Sequence, residues 1–168
     1  MKKESINNKS ENILGIDPGS TTIGYGVISH KNGGQRAIGY GYIDLKSHSE
    51  QASRLLHLNE DLLEIFNKYK PGSIAIENIY FFKNVKTFTS VTQSKGVILL
   101  AAAKANIKVY EYTPLQIKQT ISGYGKASKD LIQKSIQSSL NISKKIKPDD
   151  VSDALAIALC HIRHLIKC

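Results

Sequence analysis

The chain has 168 residues, about the length of one domain, and its 41% hydrophobic and 22% charged residues are ordinary for a soluble globular protein. Lys and Arg number 23 against 14 acids, a formal charge of +9, which favours a polyanionic partner, either nucleic acid or an anionic membrane surface. The longest apolar runs, Val97–Ala103 and Ala154–Cys160, are far short of the ~20 residues of a membrane span; the N-terminus has no secretory apolar stretch, and two cysteines make no disulfide framework, so a cytoplasmic setting is expected.

Residues 1–12 are polar and aperiodic and read as a flexible tail, with the folded domain over 13–168. Ile13–Asp17 is a short apolar strand ending in an acid, and Pro18–Thr22 is the turn after it. Ile23–Ser29 and Arg36–Leu45 alternate, separated by a polar loop over His30–Gln35 that contains Gly33-Gly34. These make a hairpin, and with the first strand they form three antiparallel strands. From Ser53 to Tyr69 the residues Leu55, Leu58, Leu62, Ile65 and Phe66 recur at helical spacing, and Pro71-Gly72 ends that helix. Ser73–Asn78 is an apolar strand of the kind covered on both faces. A second helix is expected over Val85–Ala105 and a fifth strand over Asn106–Tyr112. Thr113-Pro114 supplies an N-cap and first helical position; further helices start at Ser128 and near Pro148. The order β-β-β-α-β-α-β-α-α-α predicts an α/β domain. Its sheet is mixed and five-stranded, three antiparallel strands then two parallel, with helices on both faces. No repeat, linker or low-complexity tract divides it.

Carboxylates at element ends carry the chemistry. Asp17 closes the first strand and Glu77 the fourth, each after an apolar run, where a charge is costly unless paired or bound to a cation. Asp150 and Asp153 are three apart at the start of the last helix and share one face. Singly each has a duller explanation: Asp17 as a turn residue before Pro-Gly, Glu77 as a surface charge, Asp149 and Asp150 as partners of the helix dipole. Together, on separate elements, they suit divalent cations with a preference for oxygen ligands. Such a pair of ions hydrolyses phosphodiesters by in-line attack without a nucleophilic side chain.

The segment ILGIDPGSTTIGYGVI closely resembles the opening motif of RuvC-type Holliday junction resolvases. The resemblance continues, in order and at similar spacings, through AIENIYFFKN, YEYTPLQIKQTISGYGKASK and DDVSDALAIALCH, over about residues 13–164. It implies a ribonuclease H-like fold and a homodimer that nicks two like-polarity strands of four-way junction DNA, in DNA recombination and repair. It implies two Mg²⁺ per active site, with Mn²⁺ able to substitute, held by the catalytic acids Asp17, Glu77, Asp150 and Asp153. Asp150, not Asp149, has the three-residue spacing to Asp153 that the family motif requires. The loop after Glu77 resembles the family's junction-opening loop, where Tyr80 takes the place of the usual Phe and Phe81 and Phe82 follow; any of these rings could stack on a base. Lys118 and Lys129 match basic positions near the DNA backbone, and Lys83, with Lys86 and Lys95, is a further candidate contact. A branch-migration helicase complex is a candidate partner. Cys160, His164 and Cys168 share a helix face, but ligands on one terminal helix make a poor zinc cage.

Three other readings share some of these features. A nuclease acting on RNA–DNA hybrids or RNA ends would keep the acids but not the aromatic loop or the QIKQTISGYGKASK block. An actin-like or sugar-kinase ATPase also has a DPGSTT-like turn, but it needs two such domains. A junction-binding module without catalysis would not need intact acids.

Overall fold

The computed structural model describes residues 11–31, 33–78 and 85–167. The elements follow the expected order: β1 (Glu11–Asp17), β2 (Thr22–Lys31), β3 (Gly34–Asp44), α1 (Gln51–Tyr69), β4 (Ser73–Glu77), α2 (Val85–Lys104), β5 (Lys108–Tyr112), α3 (Pro114–Ser122), α4 (Lys129–Leu140) and α5 (Asp149–Lys167). The sheet order is β3-β2-β1-β4-β5. β1 pairs antiparallel with β2, and β2 with β3, whereas β1/β4 and β4/β5 are parallel. This is the mixed sheet of a ribonuclease H-like fold.

Several boundaries differ by a residue or two from the sequence expectation, and two of the differences have a clear local cause. β1 starts at Glu11 rather than Ile13, because polar groups there have partners: Gly72 N donates to Asn12 O (2.9 Å), Asn12 Nδ2 to Tyr69 O (2.7 Å) and Ser73 Oγ to a Glu11 carboxylate oxygen (3.2 Å). The loop expected over His30–Gln35 is also shorter. β2 and β3 stay paired as far as Lys31↔Gly34, so residues 32–33 alone connect them. Gly33 takes φ 79° there, a left-handed conformation that glycine adopts without steric cost.

Alternation divides the sheet into two apolar faces. Leu14, Ile16, Ile23, Val27, Ile74 and Ile76 pack with Leu58, Leu62 and Phe66 of α1 and Ile98, Ala101 and Ala102 of α2. The opposite face presents Ile13, Ile28 and Ala75 to α5, which α3 and α4 cover from outside. Residues 151–162 of α5 are buried apart from Asp153. An α-helix apolar all round suits such a sandwiched position, and each fully buried Leu or Ile contributes about 1.5–3 kcal/mol.

Glycines let α5 approach the strands. A Cβ on Gly15 would lie 2.7 Å from Ala158 N and 2.9 Å from its Cβ, and closer still to the Ala154 carbonyl oxygen. One on Gly24 would meet the Asp150 carbonyl group in the same way. The helix backbone therefore rests directly on β1 and β2, and its N-terminal turn is held at the end of β1.

The outer helices are fixed by caps and one arginine. Thr113 and Gln116 form a reciprocal capping box at α3, and the Ser128 hydroxyl accepts from Leu131 N at α4 (3.3 Å). From α5, Arg163 Nη1 donates to Thr120 O (2.7 Å) and Ile121 O (3.1 Å) near the end of α3, and Nη2 donates to Ser139 Oγ of α4 (3.1 Å).

Candidate active site

Ile16 pairs with Ile76 across the parallel β1/β4 ladder. The next residues, Asp17 and Glu77, therefore leave adjacent strand ends side by side, and alternation points both to the α5 face. Gly24 is the β2 partner of Asp17 and lies against the Asp150 backbone, so the first turn of α5 brings Asp150 and Asp153 to the same place. All four acids expected to act together converge, each partly buried.

Their charges conflict. Burial, then Asp153, Glu77 and Asp150, push the Asp17 carboxyl up to about 8, with Lys129 opposing. Glu77 is raised by burial and by Asp153, and lowered by Lys118 and Lys129. Burial also raises Asp153, against Lys129, while Asp149 and Asp150 add to the rise. Positive charge is thus short where the acids meet. The donors are all carboxylate oxygens, a set that fits Mg²⁺ or Mn²⁺. Among the described residues no three Asp, Glu, His or Cys side chains are placed so that they could hold a metal ion together.

Lys118 and Lys129 stand at the acids, on α3 and α4. Lys129 Nζ is 3.5 Å from Asp149 Oδ2 and 3.9 Å from Asp153 Oδ2, and the Asp153 charge raises the lysine's own pKa. Glu77, Asp153, Lys118 and Lys129 rim a cavity of ≈ 250 Å³ whose floor is apolar, built from Pro114, Ile117, Ile132, Ala156 and Ile157. The sequence did not single out that floor. Its signal is the apolar stripe of α3 and α4, which reads equally well as core. Lys95 is instead paired with Glu111 of β5 at 2.6 Å. Tyr80, Phe81, Phe82 and Lys83 lie outside the described residues, as does the side chain of Lys86. Beyond Asp150 a second groove, of ≈ 300 Å³, is lined by Thr22, Tyr42, Asp44, Lys46 and Pro148; none of these is marked out by sequence.

The profile described as "Crossover junction endodeoxyribonuclease RuvC" matches residues 13–161. The chain belongs to the RuvC family. It is similar to proteins of that description from Caldicellulosiruptor saccharolyticus (49% identity over 151 residues, 89% of this chain and 91% of the relative) and Halothermothrix orenii (48% over 149 residues, 89% and 90%). Its fold is similar to that of T. thermophilus RuvC in complex with Holliday junction substrate, with TM-score 0.88, 29% identity and coverage of 92% of this chain and 94% of that one. The yeast mitochondrial Holliday junction resolvase Ydc2 shares the fold at TM-score 0.67 and 17% identity, over 95% of this chain and 82% of that one.

A further polar cluster is internal. His161, 1% exposed, shares a 2.7 Å hydrogen bond through Nδ1 with Tyr112 Oη and packs on Tyr110, while its Nε2 has no partner among the described residues. Burial, with a contribution from His164, holds its pKa down to about 4. His164 Nδ1 donates to Cys160 O at 2.8 Å and lies 3.7 Å from Cys160 Sγ; Cys168 is outside the described residues.

Proposed function

We propose that the chain is a structure-selective endonuclease that resolves Holliday junctions by symmetric paired nicks. It acts as a homodimer on four-way junction DNA, in recombination and repair in the cytoplasm, and can receive its substrate from a branch-migration helicase complex. Residues 13–168 serve as one nuclease domain. The observation that carries this reading is the convergence of Asp17, Glu77, Asp150 and Asp153 from two strand ends and one helix, in a chain of the RuvC family.

In this reading the four acids hold two Mg²⁺, with Mn²⁺ as a substitute. Bound there, the ions supply activation of water and neutralisation of the leaving oxygen. The chain's own residues bind and place the strand. Lys118 and Lys129 take phosphate oxygens, so affinity falls with salt. The floor formed by Ile117, Ile132, Ala156 and Ile157 keeps bulk water from one side of the acids, which strengthens electrostatic contacts there. The aromatic residues after Glu77, Tyr80 first and then Phe81, stack on bases opened at the crossover, with Lys83 on the adjacent backbone.

The test is cleavage of a synthetic four-way junction with Mg²⁺, beside linear duplex, an RNA–DNA hybrid and an Asp17→Asn control. Paired symmetric nicks confined to the junction and absent from the control are expected. Cutting of the hybrid alone would move the protein to another branch of the fold. Tight binding without cutting would reduce it to a junction-binding module.

A further inference from the structure

The acids lie between two grooves, and only one belongs to the site as described so far. The cavity rimmed by Lys118 and Lys129 is on the Glu77 and Asp153 side. The second groove touches Asp150 from the other side, with Pro148 at the entry to α5 and Thr22, Tyr42, Asp44 and Lys46 on the strand side. Tyr42 pairs with Gly24 and Tyr40 with Gly26, so both rings project on the face that carries α5. They lie on the edge strand β3, beyond the helix, and are 45% (Tyr40) and 53% (Tyr42) exposed. Two residues apart on one strand, they form aromatic platforms about 6.7 Å apart leading away from Asp150.

The groove carries one ammonium, on Lys46, and two carboxylates, on Asp44 and Asp150. Lys46 is exposed and makes no ion pair among the described residues. The Asp44 carboxylate accepts a 2.9 Å hydrogen bond from the backbone N–H of Lys46, which offsets part of its charge. Asp150 faces the acid cluster as well as the groove. Beside the exposed Asp44 carboxylate, the groove offers solvent one ammonium free of ion pairs among the described residues, one hydroxyl on Thr22 and one open aromatic face next to the acids. Tyrosine rings with lysine are the means by which proteins track single strands without reading sequence.

A strand with its phosphate over the acids must leave them in both directions. In-line displacement also needs the nucleotides on both sides of that phosphate held still. Resting on the nuclease reading above, we infer that Tyr42, Lys46 and Thr22 form a second strand-binding subsite. It holds the deoxynucleotide on the side of the scissile phosphate opposite the Lys118–Lys129 cavity: Lys46 takes the next phosphate, and Tyr42, followed by Tyr40, takes the face of a base or sugar.

The experiment uses the full chain and a four-way junction whose cut site is first mapped with the unaltered protein. 5-Iodouracil is placed one, two or three nucleotides to either side of that phosphate, and complexes formed in Ca²⁺ are irradiated and digested. Adducts on the peptide carrying Tyr42 are expected from probes on one side only. In parallel, junction affinity is measured against salt for Lys46→Ala, an exposed change whose thermal midpoint should match the parent. The slope of log K on log salt should fall by about one, and Tyr42→Ala should weaken binding about tenfold where Tyr42→Phe does not. No Tyr42 adduct from any probe position, or an unchanged salt slope in Lys46→Ala, overturns the subsite. If the unaltered protein cuts no junction, it is the resolvase reading that fails; if it cuts and these results are negative, the groove alone does.

Discussion

Gly15→Ala tests whether direct contact between α5 and β1 sets the spacing of the acids. The added Cβ would sit 2.7 Å from Ala158 N, and nearer to the Ala154 carbonyl oxygen. Ordinary contact needs about 3.5 Å, so relieving the Ala158 N contact alone moves the helix out by about 0.8 Å, and the nearer Ala154 carbonyl oxygen demands more, or an equivalent tilt. Both partners are helix backbone and cannot rotate away. Crowding of this kind costs about 1–3 kcal/mol, which urea unfolding will read as a lowered midpoint with unchanged slope. The effect on chemistry should be larger. Asp150 and Asp153 ride on the displaced helix while Asp17 stays with the strand, and a misplacement near 1 Å slows a positioned reaction about 10²-fold. Single-turnover junction cleavage well below the unfolding transition should therefore drop by one to two orders of magnitude, with junction binding in Ca²⁺ nearly retained. Gly26→Ala is the comparison: its Cβ meets Leu155 Cγ and Cδ2 at 2.7 Å and the backbone Cα only at 3.1 Å, so more of the crowding falls on a side chain and a smaller loss is expected. Parental cutting rates in a destabilised Gly15→Ala would show that helix contact does not set the site.

Asp17→Asn should abolish cutting while leaving junction binding, measured by band shift in Ca²⁺. It should also flatten the pH dependence of metal-free stability: a carboxyl raised from 3.8 to about 8 keeps its proton in the folded state longer than in the unfolded one. Parent stability therefore falls between those pH values as pH rises, and Mg²⁺ should oppose that fall in thermal scans. Lys129→Ala removes the charge that lowers Asp153 and a proposed phosphate contact; slower cutting and a salt slope shallower by about one are expected. His161 is depressed from 6.5 to about 4, so its share of stability is present above pH 6.5 and is lost as pH falls toward 4, roughly 3 kcal/mol in all. His161→Phe should flatten that acid limb in denaturant titrations, and an unchanged limb would place the titration elsewhere. Tyr80→Ala should slow cutting with a weaker effect on affinity, checked by rates at saturating enzyme.

The acids were legible because strand ends are local features. ILGID and SIAIE each stop at a carboxylate, and the parallel register placing Asp17 beside Glu77 follows from the order of elements. The thirteen residues of VSDALAIALCHIR announce a helix buried on nearly every side, which fixed where Asp153 must emerge. The second groove was not legible in the same way. Tyr42 and Lys46 reach Asp150 only through the β2/β3 register and the closeness that Gly24 allows, and both depend on the assembled sheet. The hairpin expected as a six-residue loop failed for a local reason: Asn32-Gly33 is itself a strong two-residue turn signal, but the neighbouring Gly34 made a longer loop look natural.

The Arg163 bonds to α3 and α4 give the two sides of the site different mechanical fates. The carboxylates are mounted on strands and on a helix laid flat against them, so anything that moves them must strain the centre of the domain. Lys118 and Lys129 hang from two outer helices that share a tether near their C-terminal ends. Changes at Ser139, or in the turn after Ile121, can tilt those cations while the hydrolytic geometry stays where it is. In the proposed function, grip on the DNA would thus be open to retuning, by mutation or by a protein leaning on these helices, independently of the ability to cut.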